Sequence, residues 1–165
     1  MRSTILIASL PIASLVWTAC GGETASTNDP ASDPQANEAP RPEAPAGPLV
    51  DDPTFELRAT AAGPYAAGQE GRFEIRLTPK GRYHVNQEFP MGITLTGPSG
   101  VALPPGELGR EAAAQFGEQI ARFDVPFTAS AAGQHQVQAR VSFAVCTPES
   151  CMPDERTLAF VLPVQ

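Results

Sequence analysis

The stretch QHQVQARVSFAVCTPESCMPDERTLAFVLPV, residues 134–164, contains two segments in which apolar and polar side chains alternate. In the first segment, residues 134–146, every second position is apolar: Val137, Ala139, Val141, Phe143 and Val145. The second segment, residues 156–164, does the same with Leu158, Phe160, Leu162 and Val164. Alternation with a period of two is typical of a β-strand that buries one face. The stretch therefore predicts two strands joined as a hairpin.

Two cysteines flank the loop between these strands. The loop sequence TPES suits a four-residue hairpin connection, because proline presets the backbone angle at the second position of the turn. Cys146 and Cys151 would then face each other with their Cα atoms about 4.5–5.5 Å apart, a separation that a disulfide tolerates. We therefore expect a disulfide. The alternation puts Cys146 on the face opposite the core, so its sulfur should point away from the core, where a partner can reach it.

Three roles remain open for this pair. A structural disulfide is one, although closing so short a loop contributes only about 2 kcal/mol in the chain-entropy model. A redox-active pair is the second, and the acidic neighbours Glu149, Asp154 and Glu155 favour a disulfide that is attacked over a thiol that attacks.

A metal site is the third role. Met152 is adjacent to the pair, and the two histidines of the chain, His84 and His135, could complete a site for a soft ion such as Cu(I). Each histidine is more simply explained as a polar strand residue. We therefore expect no metal and no other cofactor.

The rest of the folded region, residues 54–165, shows the same alternation in shorter segments. Further strands are predicted around Phe55 and Leu57, around Phe73, Ile75 and Leu77, and over residues 82–86, 92–96 and 122–128. Residues 107–116 have helical composition and should form one or two turns inside a loop. About seven short strands separated by glycine and proline turns predict an all-β, immunoglobulin-like antiparallel β-sandwich.

The segment that precedes this domain, residues 20–53, is rich in proline, alanine and acidic residues. From residue 21 it contains seven prolines and seven acidic side chains against the single base Arg41, a net charge of −6. Such a composition buries too little apolar surface to order, so we expect a disordered tether. The folded region carries a net charge of only −2 and shows no basic patch, so nucleic acid is not an expected partner.

The first nineteen residues predict a bacterial lipoprotein signal peptide. Arg2 is followed by an apolar run that is too short to span a membrane comfortably, and Thr18 and Ala19 precede Cys20 as in a lipobox, with Trp17 at the position where leucine is usual. We expect cleavage before an acylated Cys20, which anchors the protein to the cell envelope facing the periplasm. Gly21 is not the aspartate that retains many lipoproteins in the inner membrane, which favours the outer membrane. Lipidation of Cys20 leaves Cys146 and Cys151 as a pair in an oxidising compartment.

Several segments of residues 54–164 resemble a known family. The order GRFEIRLTPKGRYHVNQEFPMGITLTGP, VALPPGEL, RFDVPFTA and VSFAVCTPESCMPDERTLAFVLPV resembles the N-terminal periplasmic domain of the thiol-disulfide interchange protein DsbD. The most specific element is the cysteine pair on a late hairpin followed by proline, here Cys146, Cys151 and Pro153. The four residues between the cysteines are fewer than in the redox-active members.

The resemblance implies an immunoglobulin-like domain whose cysteine pair receives electrons from a membrane-embedded partner. The pair would pass them to thioredoxin-like or other periplasmic thiol-disulfide proteins. It also implies that residues 107–119 form a loop that caps the pair, with Phe116 as the shielding aromatic side chain. The alternative function is a non-catalytic binding or structural envelope lipoprotein whose disulfide only staples the hairpin.

Overall fold

Two antiparallel β-sheets pack face to face in the computed structural model, which describes residues 47–165. The first sheet has the order β1-β2-β3-β9-β6, with β8 also paired to β9. Its strands are β1 (Leu49–Asp51), β2 (Phe55–Ala61), β3 (Glu70–Pro79), β6 (Val101–Ala102), β8 (Gln115–Gly117) and β9 (Ile120–Ala129). The second sheet has the order β11-β10-β5-β7, with β4 also paired to β10. Its strands are β4 (His84–Val85), β5 (Gly92–Thr96), β7 (Glu107–Gly109), β10 (Gly133–Cys146) and β11 (Cys151–Val164).

The core between the sheets is built from the alternating apolar positions of the sequence. Both sheets contribute aromatic side chains to it: the rings of Phe55 on β2 and Phe143 on β10 meet edge to face, with their centroids 4.8 Å apart. Phe73 on β3 and Phe160 on β11 make a second contact between the sheets at 4.9 Å. The predicted immunoglobulin-like antiparallel β-sandwich is therefore confirmed.

The hairpin of β10 and β11 is the longest element of the domain. Its residues pair in continuous antiparallel register from Gly133 opposite Val164 to Cys146 opposite Cys151. The backbone N–H of Thr147 donates to the carbonyl oxygen of Ser150 at 2.8 Å and closes the loop. The predicted hairpin is confirmed, although β11 begins at Cys151 rather than at residue 156, because pairing with β10 continues through a polar segment that lacks the alternation.

β11 is an edge strand of its sheet, and prolines and local hydrogen bonds limit further pairing along its outer side. Pro153 and Pro163 lie within the strand and have no backbone N–H. The backbone N–H of Glu155 donates to the side chain of Asp154 at 2.7 Å. Near the end of the strand, the backbone N–H of Tyr65 donates to the carbonyl oxygen of Pro163 at 2.9 Å.

The folded region begins before residue 54, which corrects the predicted boundary of the tether. β1 lies inside the segment predicted to be disordered, and it pairs with β2 from Leu49 opposite Arg58 to Asp51 opposite Glu56. Three residues among prolines and acidic residues are too few to show a periodic pattern, which is why the sequence does not predict this strand. The strand forms because β2 offers an edge with which it can pair.

A turn after β1 fixes the entry into β2. Thr54 donates its backbone N–H and its hydroxyl to Oδ1 of Asp52, at 2.9 and 2.8 Å. These hydrogen bonds favour the carboxylate and lower the pKa of Asp52. Because the folded-state pKa is depressed, the stabilisation is present above the ordinary aspartate pKa and is lost as the pH falls through the lowered value.

Residues 107–116, predicted to contain one or two helical turns, contain a single 3-10 turn, Arg110–Ala112, which lies between β7 and β8. The predicted strand at residues 82–86 is shorter, since only His84–Val85 pairs with β10. The strands predicted at residues 92–96 and 122–128 are present, the second one slightly longer than predicted.

The predicted signal peptide of residues 1–19, the predicted acylation of Cys20 and the part of the predicted tether up to residue 46 lie outside the described residues. Within residues 47–165, no helix has the length and apolar character needed to cross a bilayer.

Candidate functional site

The disulfide between Cys146 and Cys151 joins the last residue of β10 to the first residue of β11. The two Cα atoms lie 4.1 Å apart, and the residues are direct partners in the antiparallel ladder. The disulfide predicted from the four-residue loop is therefore confirmed.

The two ends of the disulfide differ in exposure. Cys146 is only 2% exposed, whereas Cys151 is an exposed residue. Although Cys146 is buried, it does not belong to the cluster of side chains packed between the sheets, as the alternation predicted. The expectation that a partner can reach its sulfur is wrong, because β4 pairs with β10 here and places His84 opposite Cys146. A partner therefore meets the disulfide at Cys151.

A cavity of about 360 Å³ lies beside the disulfide. Three parts of the chain line it: the segment from β4 to the following loop, a residue between β8 and β9, and the end of the hairpin. The lining residues are His84, Val85, Asn86, Gln87, Glu88, Glu118, Cys146, Thr147, Pro148 and Cys151. Glu118 reaches the cavity because its carbonyl oxygen accepts the backbone N–H of Val85 at 2.8 Å.

Asn86 is the residue of this cavity that contacts both sulfur atoms. Its side-chain Nδ2 lies 3.3 Å from Sγ of Cys146 and 3.4 Å from Sγ of Cys151. No local pattern in the sequence indicates this contact, because Asn86 lies 60 residues before Cys146. The nearest sequence signal is the composition of Asn86-Gln87-Glu88-Phe89-Pro90, which is typical of a turn.

The other groups of Asn86 hold the loop that follows β4. Its backbone N–H donates to the carbonyl oxygen of Ala144 on β10 at 2.9 Å. Its side-chain Oδ1 accepts the backbone N–H of Glu88 at 2.8 Å and that of Phe89 at 3.1 Å. Since backbone N–H groups can only donate, the carbonyl end of the amide must face the loop and the NH2 end must face the sulfurs.

The charges around the disulfide differ from those that the neighbouring sequence indicated. Asp154 forms an ion pair with Arg156 at 3.0 Å, and Glu155 forms one with Arg140 at 3.1 Å. The acidic residues that line the cavity, Glu88 and Glu118, instead come from distant segments. The region around the disulfide is therefore acidic, as predicted. Its acidic residues are only partly the ones next to the cysteines in the sequence, because Asp154 and Glu155 are paired with arginines.

The proposed cap residue, Phe116, does not line the cavity. It lies in β8, pairs with Ala121 on β9 and packs against the hydrophobic core. The segment that contains His84 and Asn86 lies against the disulfide instead and leaves Cys151 exposed. The loop predicted to cap the pair contributes Glu118 to the cavity instead.

The residues considered for a metal site are not brought together. His84 lies beside Cys146, but His135 lies near the start of β10, where its Nε2 is 2.9 Å from the carbonyl oxygen of Ala131. Met152 is exposed on β11. In the described part of the chain, no three or more His, Cys, Asp or Glu residues are arranged to hold a metal ion.

No protein-family model and no curated protein matches the chain. Among solved structures, it is similar to the GAE domain of GGA2p from Saccharomyces cerevisiae, with a TM-score of 0.43 and 15% identity over 72% of this chain and 98% of that one. It is also similar to AggA, the major subunit of aggregative adherence fimbriae type I from Escherichia coli, with a TM-score of 0.36 and 8% identity over 74% of this chain and 100% of that one. Similarities of this size carry no information about function.

Proposed function

We propose that this protein takes part in thiol-disulfide exchange in the bacterial periplasm through Cys146 and Cys151. The observation that carries the proposal is the asymmetry of the disulfide, in which Cys151 is exposed beside a cavity and Cys146 is buried. An exchange disulfide needs one sulfur that a partner thiolate can attack and a second sulfur that leaves. The resemblance of the sequence to the N-terminal domain of DsbD adds support.

The exchange would proceed with a dithiol protein of the thioredoxin-like class. A partner thiolate attacks Sγ of Cys151, the bond between Cys151 and Cys146 breaks, and its electron pair leaves on Sγ of Cys146. The second partner thiolate then attacks the partner sulfur in the mixed disulfide and releases Cys151. Two electrons and two protons pass to the cysteine pair, while the partner dithiol becomes a disulfide. The reverse sequence passes the electrons to another oxidised partner.

A purely structural role for the disulfide is the alternative function. The ladder of β10 and β11 already pairs the two strands along their whole length, and the disulfide closes a segment with a sequence separation of only 5. In the chain-entropy model, such a closure stabilises the fold by about 2 kcal/mol. This modest contribution makes stabilisation alone a weak reason for the pair.

The reduction potential of the disulfide tests the proposed function. We expect a value above about −300 mV, because structural disulfides of exported proteins lie below that boundary and exchangeable ones lie above it. Equilibration of the purified protein with buffers of defined glutathione or dithiothreitol potential, followed by thiol labelling, gives this value. A potential below the boundary would contradict exchange and favour the structural alternative.

We also propose that the domain is held at the envelope through an acylated Cys20, with the outer membrane as the favoured location. The support is the sequence pattern of the first twenty residues and, for the location, Gly21 after the cysteine. Intact-mass analysis of membrane-extracted protein is expected to show a chain that begins at Cys20 and carries acyl groups. A mature chain that begins at another residue would contradict the anchor, and a Cys20→Ala variant that fractionates like the wild type would contradict it as well.

A further inference from the structure

The contact of Asn86 with the disulfide changes in strength when the disulfide opens. The sulfurs of a closed disulfide are neutral and accept hydrogen bonds weakly. A thiolate carries a full negative charge, so a donor at the same position forms a charge-assisted hydrogen bond, which is roughly twice as strong as a neutral one. The Nδ2 group of Asn86, at 3.3 Å from Cys146 and 3.4 Å from Cys151, therefore stabilises the opened state more than the closed one.

The position of this donor is fixed before any partner arrives. The backbone of Asn86 is bonded to β10, and its Oδ1 is held by two backbone N–H groups of the following loop. A donor that is already oriented needs no rearrangement when charge appears on the sulfur. Because Cys146 is 2% exposed, little water is available to stabilise its thiolate in place of Asn86.

We propose that Asn86 assists thiol-disulfide exchange directly and that its amide stabilises the Cys146 thiolate as it leaves. This inference rests on the proposed function, since it names the group that assists the sulfur displaced by attack on Cys151. It extends that function by assigning a role to a side chain that carries no charge and is not a cysteine.

The rate of reduction by dithiothreitol tests the proposal with the purified, disulfide-bonded protein. The Asn86→Asp variant keeps the carbonyl-type oxygen that accepts the backbone N–H groups of Glu88 and Phe89 but turns a carboxylate oxygen toward the sulfurs. We expect its second-order rate constant to fall about tenfold, because a hydrogen bond to a charged group is replaced by repulsion.

Two further variants separate the contact from other effects. Gln119→Glu adds the same charge on an exposed side chain that follows Glu118 in the sequence but does not line the cavity, and we expect less than about a twofold change. Asn86→Ser retains a hydroxyl that can accept the backbone N–H of Glu88 but is too short to reach the sulfurs. We expect its rate constant to fall about threefold, and it gives a readout if Asn86→Asp does not fold.

The pH dependence of alkylation supplies a readout that a purely structural role would not change. In the reduced Asn86→Asp protein, the pH at which iodoacetamide reacts at half its maximal rate should rise by about one unit. The other titratable side chains that line the cavity, His84, Glu88 and Glu118, are present in every variant. Glu149 in the hairpin loop is also unchanged.

The inference would be overturned if the rate constants and pH midpoints of the Asn86 variants equalled those of Gln119→Glu. If those values shift as expected while the disulfide itself proves too hard to reduce for exchange, the proposed function fails and the role of Asn86 at the sulfurs stands. If the disulfide is readily exchanged and the Asn86 variants behave like the control, only the role of Asn86 fails.

Discussion

In cells that make the Cys146→Ala variant, a mixed disulfide between Cys151 and a thioredoxin-like protein is expected to accumulate. Cys151 is exposed and can attack an oxidised partner, but without Cys146 the domain has no second thiol to release that partner. The Cys151→Ala variant keeps only Cys146, which is 2% exposed and covered by the segment that contains His84. The amount of adduct should therefore differ between the two variants on the order of tenfold or more, since the reactivity of a thiol depends on its access.

The measurement is acid quenching, blocking of free thiols, and separation without reductant, followed by mass spectrometry of the adducts. A variant with both Cys146→Ala and Cys151→Ala is the control, and it should give no adduct. Equal capture by both single variants would contradict the asymmetry on which the proposed function depends. No capture by either variant would favour the structural alternative.

Replacement of Phe143 by alanine is expected to have the largest effect on stability. Phe143 is fully buried and packs edge to face against Phe55 of the opposite sheet. Truncation of a buried phenylalanine removes apolar contacts and leaves a cavity, which together cost about 3–5 kcal/mol. Domains of this kind have a free energy of unfolding of about 5–15 kcal/mol, so the loss is a large part of the total.

Equilibrium unfolding in urea measures this effect. Val161→Ala is the matched control, because Val161 is an apolar residue of the adjacent strand β11 but is 44% exposed. Its substitution should change the free energy of unfolding by no more than about 0.5 kcal/mol. A loss of less than about 1 kcal/mol for Phe143→Ala would show that the two sheets do not depend on this contact.

Local alternation was sufficient to predict the long strands and the side chains that they bury. Phe143 on β10 and Phe73 on β3 lie in the core as the period of two indicated, because that pattern depends only on the pleat of a single strand. The composition of the sequence places Leu49–Asp51 in the tether, because three residues next to prolines show no periodic pattern. Tyr65 forms an isolated bridge to Val164 that no local pattern indicates. Elements that exist only through a distant partner were thus missed.

The same limit explains what the sequence revealed about the site. The disulfide is a local feature of one hairpin, and the spacing of Cys146 and Cys151 was enough to predict it. The burial of Cys146 depends on β4, and the contact of Asn86 with both sulfurs depends on the loop that follows β4. Both reach the hairpin from about sixty residues earlier in the chain. Pairing at that distance is set by the topology of the sheet, which alternation alone does not specify.

The edge formed by β11 affects how two molecules separate after they meet at Cys151. An open edge strand can be extended by the strand of another protein, which leads to lasting association or aggregation. Here Pro153 lacks an N–H group, and Asp154 already accepts the N–H of Glu155, both close to the disulfide. If a partner meets the domain at this end, as proposed, the encounter can therefore remain brief, because few free donors are left beside the disulfide to continue the sheet into a neighbour.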